Sequence, residues 1–445
     1  MVVELLFNKL KKQDDIMKVK GLRWWIIGLI GLATIINYID RSALAIMWPG
    51  ISKDLGMTDA DYAIILNVFM VAYALGQAIT GKMYDKIGTK MGYVISIFFW
   101  SLASILHAFT RGILSISLFR VLLGVSEAGN WPGAVKSNAE WFPVRERAIA
   151  QGIFNAGASM GSVVAPPLIA FLYLGFGWEI TFIIIGSTGM LWIIPWLIFN
   201  KKSPKDHPWI TDKDKNHILS DNFIDVKVKN EEVIEEKGLS MMEILSYKES
   251  WALLSSRFFL EPIWWLFVGW MPIYLAKTYG FDVREIGLFA WVPFVGAAIG
   301  SVTGGLFTGR WIASGLSVDV SRKRTILIGG VLMFLGLIAT ILFADTPLIF
   351  VIIVSVVLFG FQFAISNIQT LPSDLFSGKS VGSLAGLGGT VGIFSVIIMN
   401  FLIPVITKTS YTPAFILIAI LVPLGVLSIY IFCKKIGPVK IKNKK

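Results

Sequence analysis

Apolar runs of about twenty residues recur along the whole chain, and they limit the fold more than any motif does. A helix rises 1.5 Å per residue, so roughly 20 mostly apolar residues match a hydrocarbon core of about 30 Å. Twelve runs can be read, at 24–48, 62–81, 90–109, 113–134, 147–172, 179–199, 251–276, 284–308, 324–343, 347–370, 380–406 and 412–433. Two of them, 147–172 and 380–406, are Gly-rich and the least sharply bounded. Only 16% of the 445 residues are charged, against roughly a quarter in soluble domains. A water-soluble core cannot hide so much apolar surface, and the lipid bilayer becomes the expected partner. The first run opens at Trp24 behind a basic stretch, contains Asp40–Arg41 and lacks a small-residue cleavage site. It reads as a retained helix and not as a signal peptide. The expectation is an all-α membrane protein with twelve transmembrane helices.

Residues 200–250 interrupt the pattern with Lys201, Lys202, Asp206, Asp212, Asp214, Glu231, Glu232, Glu235, Glu236 and Lys237. Three parts follow: a six-helix bundle over 1–199, a solvated linker over 200–250, and a second bundle with a basic tail over 251–445. The net charge of +11 does not indicate nucleic acid, because the cations sit between apolar runs. If the N-terminus is cytoplasmic, most of them fall inside, and only Lys53, Arg111, Lys277, Arg284 and Lys408 fall outside. That asymmetry predicts a multi-pass protein of the cell membrane with both termini and the linker cytoplasmic. The single cysteine, Cys433, excludes an internal disulfide, and His107, His207 and His217 show no metal-ligand spacing. No metal and no cofactor is expected.

The halves also echo each other. Asn138–Gly157 and Gln369–Gly386 align with Phe142 on Phe376, Arg145 on Lys379 and Gly152 on Gly386 at one common offset. Inverted or parallel repeats of this kind build many secondary transporters, with the substrate site near the midplane. Between the second and third runs stands Gly81-Lys-Met-Tyr-Asp85-Lys-Ile-Gly88-Thr-Lys90. Its glycines permit a tight turn, Asp85 suits a helix N-terminus, and the cations hold the loop at the inner face. This loop, with the twelve runs and the 6+6 layout, resembles the signature of the major facilitator superfamily. At the corresponding point of the second half, Gly305-Leu-Phe-Thr-Gly309-Arg310 has glycine at the acidic position.

Few charges lie inside the runs: Asp40 and Arg41 in the first, Arg120 and Glu127 in the fourth, Arg257 and Glu261 in the seventh. A charge at the bilayer centre costs roughly 3 kcal/mol or more, so such residues face a cavity or a partner. At 1.5 Å per residue Asp40 sits roughly 24 Å above Trp24, and Arg120 roughly 10 Å below the outer end of its helix, which brings the two to similar heights. The functional reading is an anion site (Arg41, Arg120) beside proton-taking carboxylates (Asp40, Glu127). The bland reading is that the acids only neutralise the arginines. Arg257 and Glu261, four apart, are placed to pair along one helix.

Asn37-Tyr-Ile-Asp40-Arg41, Arg120-x-x-x-Gly124-x-x-Glu127, and Trp141-Phe-Pro143 with Arg147 beyond are similar to the anion:cation symporter family. Arg257-Phe-Phe-Leu-Glu261-Pro262 with Trp264, Gly315-Leu-Ser-Val318, and Leu371-Pro-Ser-Asp-Leu-Phe376 resemble its hexuronate transporters. The resemblance implies proton-coupled uptake of a small organic anion, a hexuronate or aldonate, by alternating access. It implies proton coupling at Asp40 and Glu127, a substrate-carboxylate ligand in Arg41 and a substrate-binding tyrosine in Tyr73. Arg120, Asn155, Glu261, Trp264, Ser366 and Asn367 join the expected substrate site by placement. Some hexuronate carriers lack the first-helix carboxylate, whereas Asp40 is present here. The partners expected are a small organic anion and protons, the carrier acting as a monomer. Three alternatives differ in class: a carrier of a non-sugar carboxylate, a nontransporting receptor of the same fold, and a membrane enzyme. The last would need a nucleophile and base at working spacing, and no intramembrane charge sits near a histidine or cysteine in the sequence.

Overall fold

The structure, a computed structural model, describes residues 18–143, 146–218, 239–376 and 379–439. Among these, eleven helical stretches are long and apolar enough to cross a bilayer. One of them, Ala150–Phe199, has 50 residues, about 75 Å of helix and far more than one crossing needs. The chain divides it at Gly177, where φ is 77° and ψ 173° inside the continuous Arg147–Phe199 stretch. Glycine enters that region without steric cost, so the helix can stop and re-enter. Twelve spans result. They are α1 (Leu22–Leu55), α2 (Asp59–Gly81), α3 (Lys86–Phe109), α4 (Ile113–Asn138), and α5 and α6 (Arg147–Phe199 before and after Gly177). The second half holds α7 (Lys248–Tyr279), α8 (Val283–Ala313), α9 (Val318–Phe343), α10 (Pro347–Ile368), α11 (Ser383–Ile406) and α12 (Thr412–Phe432). The two Gly-rich runs are helical, as α5 and α11.

Both halves begin with the same local device. α1 ends at Gly56 and α7 at Gly280, each in the left-handed region. Two residues later a capping box starts the next helix, Thr58 with Asp61 and Asp282 with Glu285. A capping box satisfies two orphan backbone groups reciprocally, so the first hairpin of each half is fixed by a few local residues.

Within the first half α1 packs on α5–α6 and α4 on α2–α3; within the second α10 packs on α8 and α9, and α7 on α11 and α12. Between the halves α1 meets α7, α2 meets α11 and α5 meets α8. Hydrogen bonds join the halves toward the end opposite the chain termini. Tyr62 Oη donates to the Gly269 carbonyl at 2.6 Å, and Asn400 Nδ2 to Asn67 Oδ1 at 3.1 Å. Within the second half Trp270 Nε1 holds Asn400 by donating to its Oδ1 at 3.1 Å, and Lys277 pairs with Asp59 across the halves.

At the end that carries the termini, residues 210–218 dock on the first half. Arg23 contacts Asp214 Oδ1 at 2.6 Å and Glu146 Oε2 at 3.0 Å, and His217 Nε2 meets Glu146 Oε1 at 2.7 Å. Partial burial raises the Glu146 carboxyl, but the bonds from His217 and Arg23 outweigh it and hold it below the ordinary carboxylate range. Asp214 is likewise held low, its burial being outweighed by bonds from the Gly21 N–H, Thr211 and Arg23. Lys90 of the signature loop donates to the Lys201 carbonyl at 3.2 Å. The helix breaks at Gly88, with φ 78°, and Gly81 has open space around it. The side chain of Asp85 lies outside the described residues.

Candidate substrate cavity

Three glycine-mediated approaches build the site. A Cβ on Gly124 would sit 2.6 Å from the Phe69 carbonyl oxygen, and one on Gly76 2.8 Å from Val125 Cα. These two glycines let α4 lie directly on α2. Gly157 of α5 likewise faces the Gly31 carbonyl of α1 at 2.6 Å. Contacts this close need residues without side chains. Arg120, Gly124 and Glu127 share one face of α4, so seating Gly124 on Phe69 carries both charges to α1.

There Arg41 meets Glu127. Nη2 donates to Glu127 Oε2 at 2.9 Å, Nε to the same oxygen at 3.2 Å, and Nη2 also to Asn37 Oδ1 at 3.3 Å. Rings surround the guanidinium: Tyr73 at 4.9 Å, Tyr38 at 5.2 Å, Phe69 at 5.4 Å and Trp265 at 5.5 Å from their centroids. Cation–π contact of this kind holds a desolvated cation without neutralising it. Asp40 points elsewhere and accepts from Ser104 Oγ at 2.7 Å. Glu127 Oε1, Asp40 Oδ2, and Nε and Nη2 of Arg120 are buried with no hydrogen-bond partner. Arg120 is only 1% exposed. It stands behind Arg41, and the two line a small pocket of about 20 Å³ with Tyr62, Phe69, Trp265 and Asn400, room for about one water molecule.

In front of Arg41 opens a cavity of about 330 Å³ between the halves, at the lower edge of the sizes that hold small ligands. Its lining includes Tyr38, Arg41, Tyr73 and Gln77 from the first half and Arg257, Glu261, Trp264 and Trp265 from the second. It continues toward the terminal end past Gln77, Arg257 and Gln369. The interhalf hydrogen bonds lie on its other side.

The structure therefore brings Arg41, Tyr73, Glu261, Trp264 and Ser366 to one cavity. Asp40, Arg120 and Glu127 stand behind its wall. Trp264 is mostly packed, stacked on Phe361 and edge-on to Phe294. Asn367 is not brought there: it is fully buried, accepts from Arg322 Nη1 at 2.9 Å and donates to the Gly304 carbonyl. Placement one residue from Ser366 turns it about 100° around the helix, away from the cavity. The side chain of Asn155 lies outside the described residues. Polar residues not anticipated include Gln77, Gln362 and Gln369. Their signal was available: Gln362 and Ser366 of α10 and Gln369 at its C-cap fall at i, i+4 and i+7, and Gln77 is four residues after Tyr73.

The sequence model of the Major Facilitator Superfamily matches residues 30–392 and again 253–445. The chain is 32% identical over 419 residues to the hexuronate transporter of Escherichia coli (strain K12), covering 93% of this chain and 94% of that one. It is 33% identical over 319 residues to the galacturonate transporter of Dickeya chrysanthemi, covering 71% and 90%. It is 30% identical over 385 residues to a probable galactarate/D-glucarate transporter of Bacillus subtilis (strain 168), covering 84% and 83%. In fold it is similar to a bacterial homolog of the human lysosomal transporter Spinster in an inward-facing, unoccupied conformation. The TM-score is 0.72 at 16% identity, over 94% of this chain and 98% of that one.

Proposed function

Because the chain belongs to the major facilitator superfamily, we propose that it is a proton-coupled symporter that imports a sugar acid, a hexuronate or an aldonate. The observation that carries this reading is Arg41. It is a cation that cannot be deprotonated, set at a cavity wall, framed by four rings and held by one oxygen of a buried glutamate. Its forked donors suit a carboxylate. In this reading 1–199 and 251–445 rock about the cavity, and 200–250 is the cytoplasmic linker. The positive-inside asymmetry supports cytoplasmic termini, and in this reading the cavity faces inward. The mechanism follows from charge. Protonation of Glu127 releases Arg41 for the substrate carboxylate, and Asp40 beside Ser104 serves as a second proton site. An anion entering against a negative interior is opposed by about 2.3 kcal/mol per 100 mV. One accompanying proton cancels that term, and a second makes the cycle driven by the potential. Support for the sugar acid comes from the relatives and from the amide and hydroxyl groups lining the cavity.

A binding screen on detergent-purified protein tests the reading. Glucuronate, galacturonate or galactonate should raise the unfolding temperature, because a ligand of the folded state stabilises it. Glucose should not, and Arg41→Lys should weaken binding at least tenfold. Equal stabilisation by glucose and glucuronate would refute an anion site.

A further inference from the structure

A second charged pair lines the cavity on α7. Arg257 Nη1 lies 3.1 Å from Glu261 Oε2, four residues on. The contact is not aligned as a hydrogen bond, and Arg257 Nε and Glu261 Oε2 are buried without a hydrogen-bond partner. The side chains keep 14% and 13% of their surface, and both border the cavity. α11 makes the room. A Cβ on Gly388 would sit 3.0 Å from Leu253 and 3.8 Å from Arg257 Cγ, and one on Gly392 3.2 Å from Glu261 Cγ. Gly388 and Gly392 are four residues apart, in register with the pair. Gln362 and Ser366 of α10 and Gln369 at its C-cap line the same cavity. Tyr38 lines the same cavity, its ring centroid 5.2 Å from the Arg41 guanidinium.

We propose that Arg257 and Glu261 form a hydroxyl-reading subsite that makes this carrier selective for monocarboxylate sugar acids over dicarboxylate ones. The inference rests on the sugar-acid reading and goes beyond it by assigning the other pole of the substrate. A guanidinium only donates and an ionised carboxylate only accepts, whereas a hydroxyl does both. Two neighbouring hydroxyls can therefore satisfy both members of the pair at once. Charged groups left unaligned in a buried site are costly, and a bound diol relieves that cost. A substrate carboxylate at the same place would compete with Glu261 for Arg257, meeting Glu261 at close range and stripping it of its counter-ion. Like-charge contact is how a site rejects a near analogue. The pair thus accepts the polyhydroxyl end of a uronate or aldonate whose single carboxylate is on Arg41, and repels an aldarate.

The test is competition against labelled glucuronate on the full-length purified protein, with galacturonate and galactonate as monocarboxylates and galactarate and glucarate as dicarboxylates. In the native protein the dicarboxylates should compete at least tenfold more weakly. Glu261→Gln should narrow that gap at least tenfold by removing the repulsion. The double variant Arg257→Gln/Glu261→Gln, which leaves no unpaired charge, should narrow it as well. Equal competition by both classes in the native protein overturns the proposal, whatever the variants do. So does an unchanged gap in variants that still bind glucuronate. If no sugar acid of either class binds the native protein, the sugar-acid reading itself fails. If glucuronate binds and Arg41→Lys abolishes it while the gap ignores both Gln variants, the subsite alone fails.

Discussion

Glu127 neutralises Arg41 through one oxygen, Oε2, which takes both guanidinium bonds, while Oε1 has no partner. A pair held this way is stable only while both members are charged, and removing one charge leaves the other buried and unpaired. A proton on Glu127 therefore leaves Arg41 ready for another carboxylate. Asp40 is bonded to Ser104 and not to Arg41, so the two acids are not equivalent. Glu127→Gln mimics the protonated form. It should keep exchange of labelled for unlabelled substrate while losing at least tenfold in accumulation driven by a proton gradient, and Asp40→Asn should lose the accumulation too. Full proton-driven accumulation in both variants would remove these residues from coupling. Much of this was legible in the sequence, because six charges inside apolar runs need partners. The choice of partner was not. Arg120 and Glu127 share a helix face by spacing, yet Glu127 bonds Arg41 across helices, which spacing along one helix cannot reveal.

The elements meet where glycines let backbones touch. Gly124 is the clearest case, since it sits between the two charges of α4 and its Cβ would lie 2.6 Å from the Phe69 carbonyl oxygen. Gly124→Ala forces α4 off α2, and overpacking of this kind costs about 1–3 kcal/mol. It should lower the unfolding temperature of the purified protein and weaken substrate binding together. Gly305→Ala, with nothing within 4 Å of the added Cβ, should change neither. An unaltered Gly124→Ala protein would show that α4 is placed by something other than this contact. The sequence displays the glycines but not their neighbours, so it cannot tell Gly157, Gly161, Gly388 and Gly392, where α5 and α11 meet other helices, from Gly152, Gly386 and Gly389, which face open space. Asn367 shows the same limit at finer grain: its neighbour Ser366 reaches the cavity, and one residue of rotation sends Asn367 to Arg322.

Across the whole molecule, hydropathy and the charged stretch at 200–250 suffice to read twelve spans, because the bilayer thickness dictates the length of every element. The turn at Gly177 and the left-handed ends at Gly56 and Gly280 follow from the same sequence. The conformation does not, since both states of an alternating-access cycle share one sequence. Here Tyr62, Asn67, Trp270 and Asn400 close one end over the cavity, and the central claim is that this closure takes part in moving a sugar acid with protons. The direct measurement is uptake of labelled glucuronate into proteoliposomes carrying the purified protein, with an acidic exterior. The expected result is accumulation above the external concentration, its collapse on adding a protonophore, and no accumulation of labelled glucose. Equilibration of glucuronate without accumulation, or accumulation indifferent to the proton gradient, would contradict it.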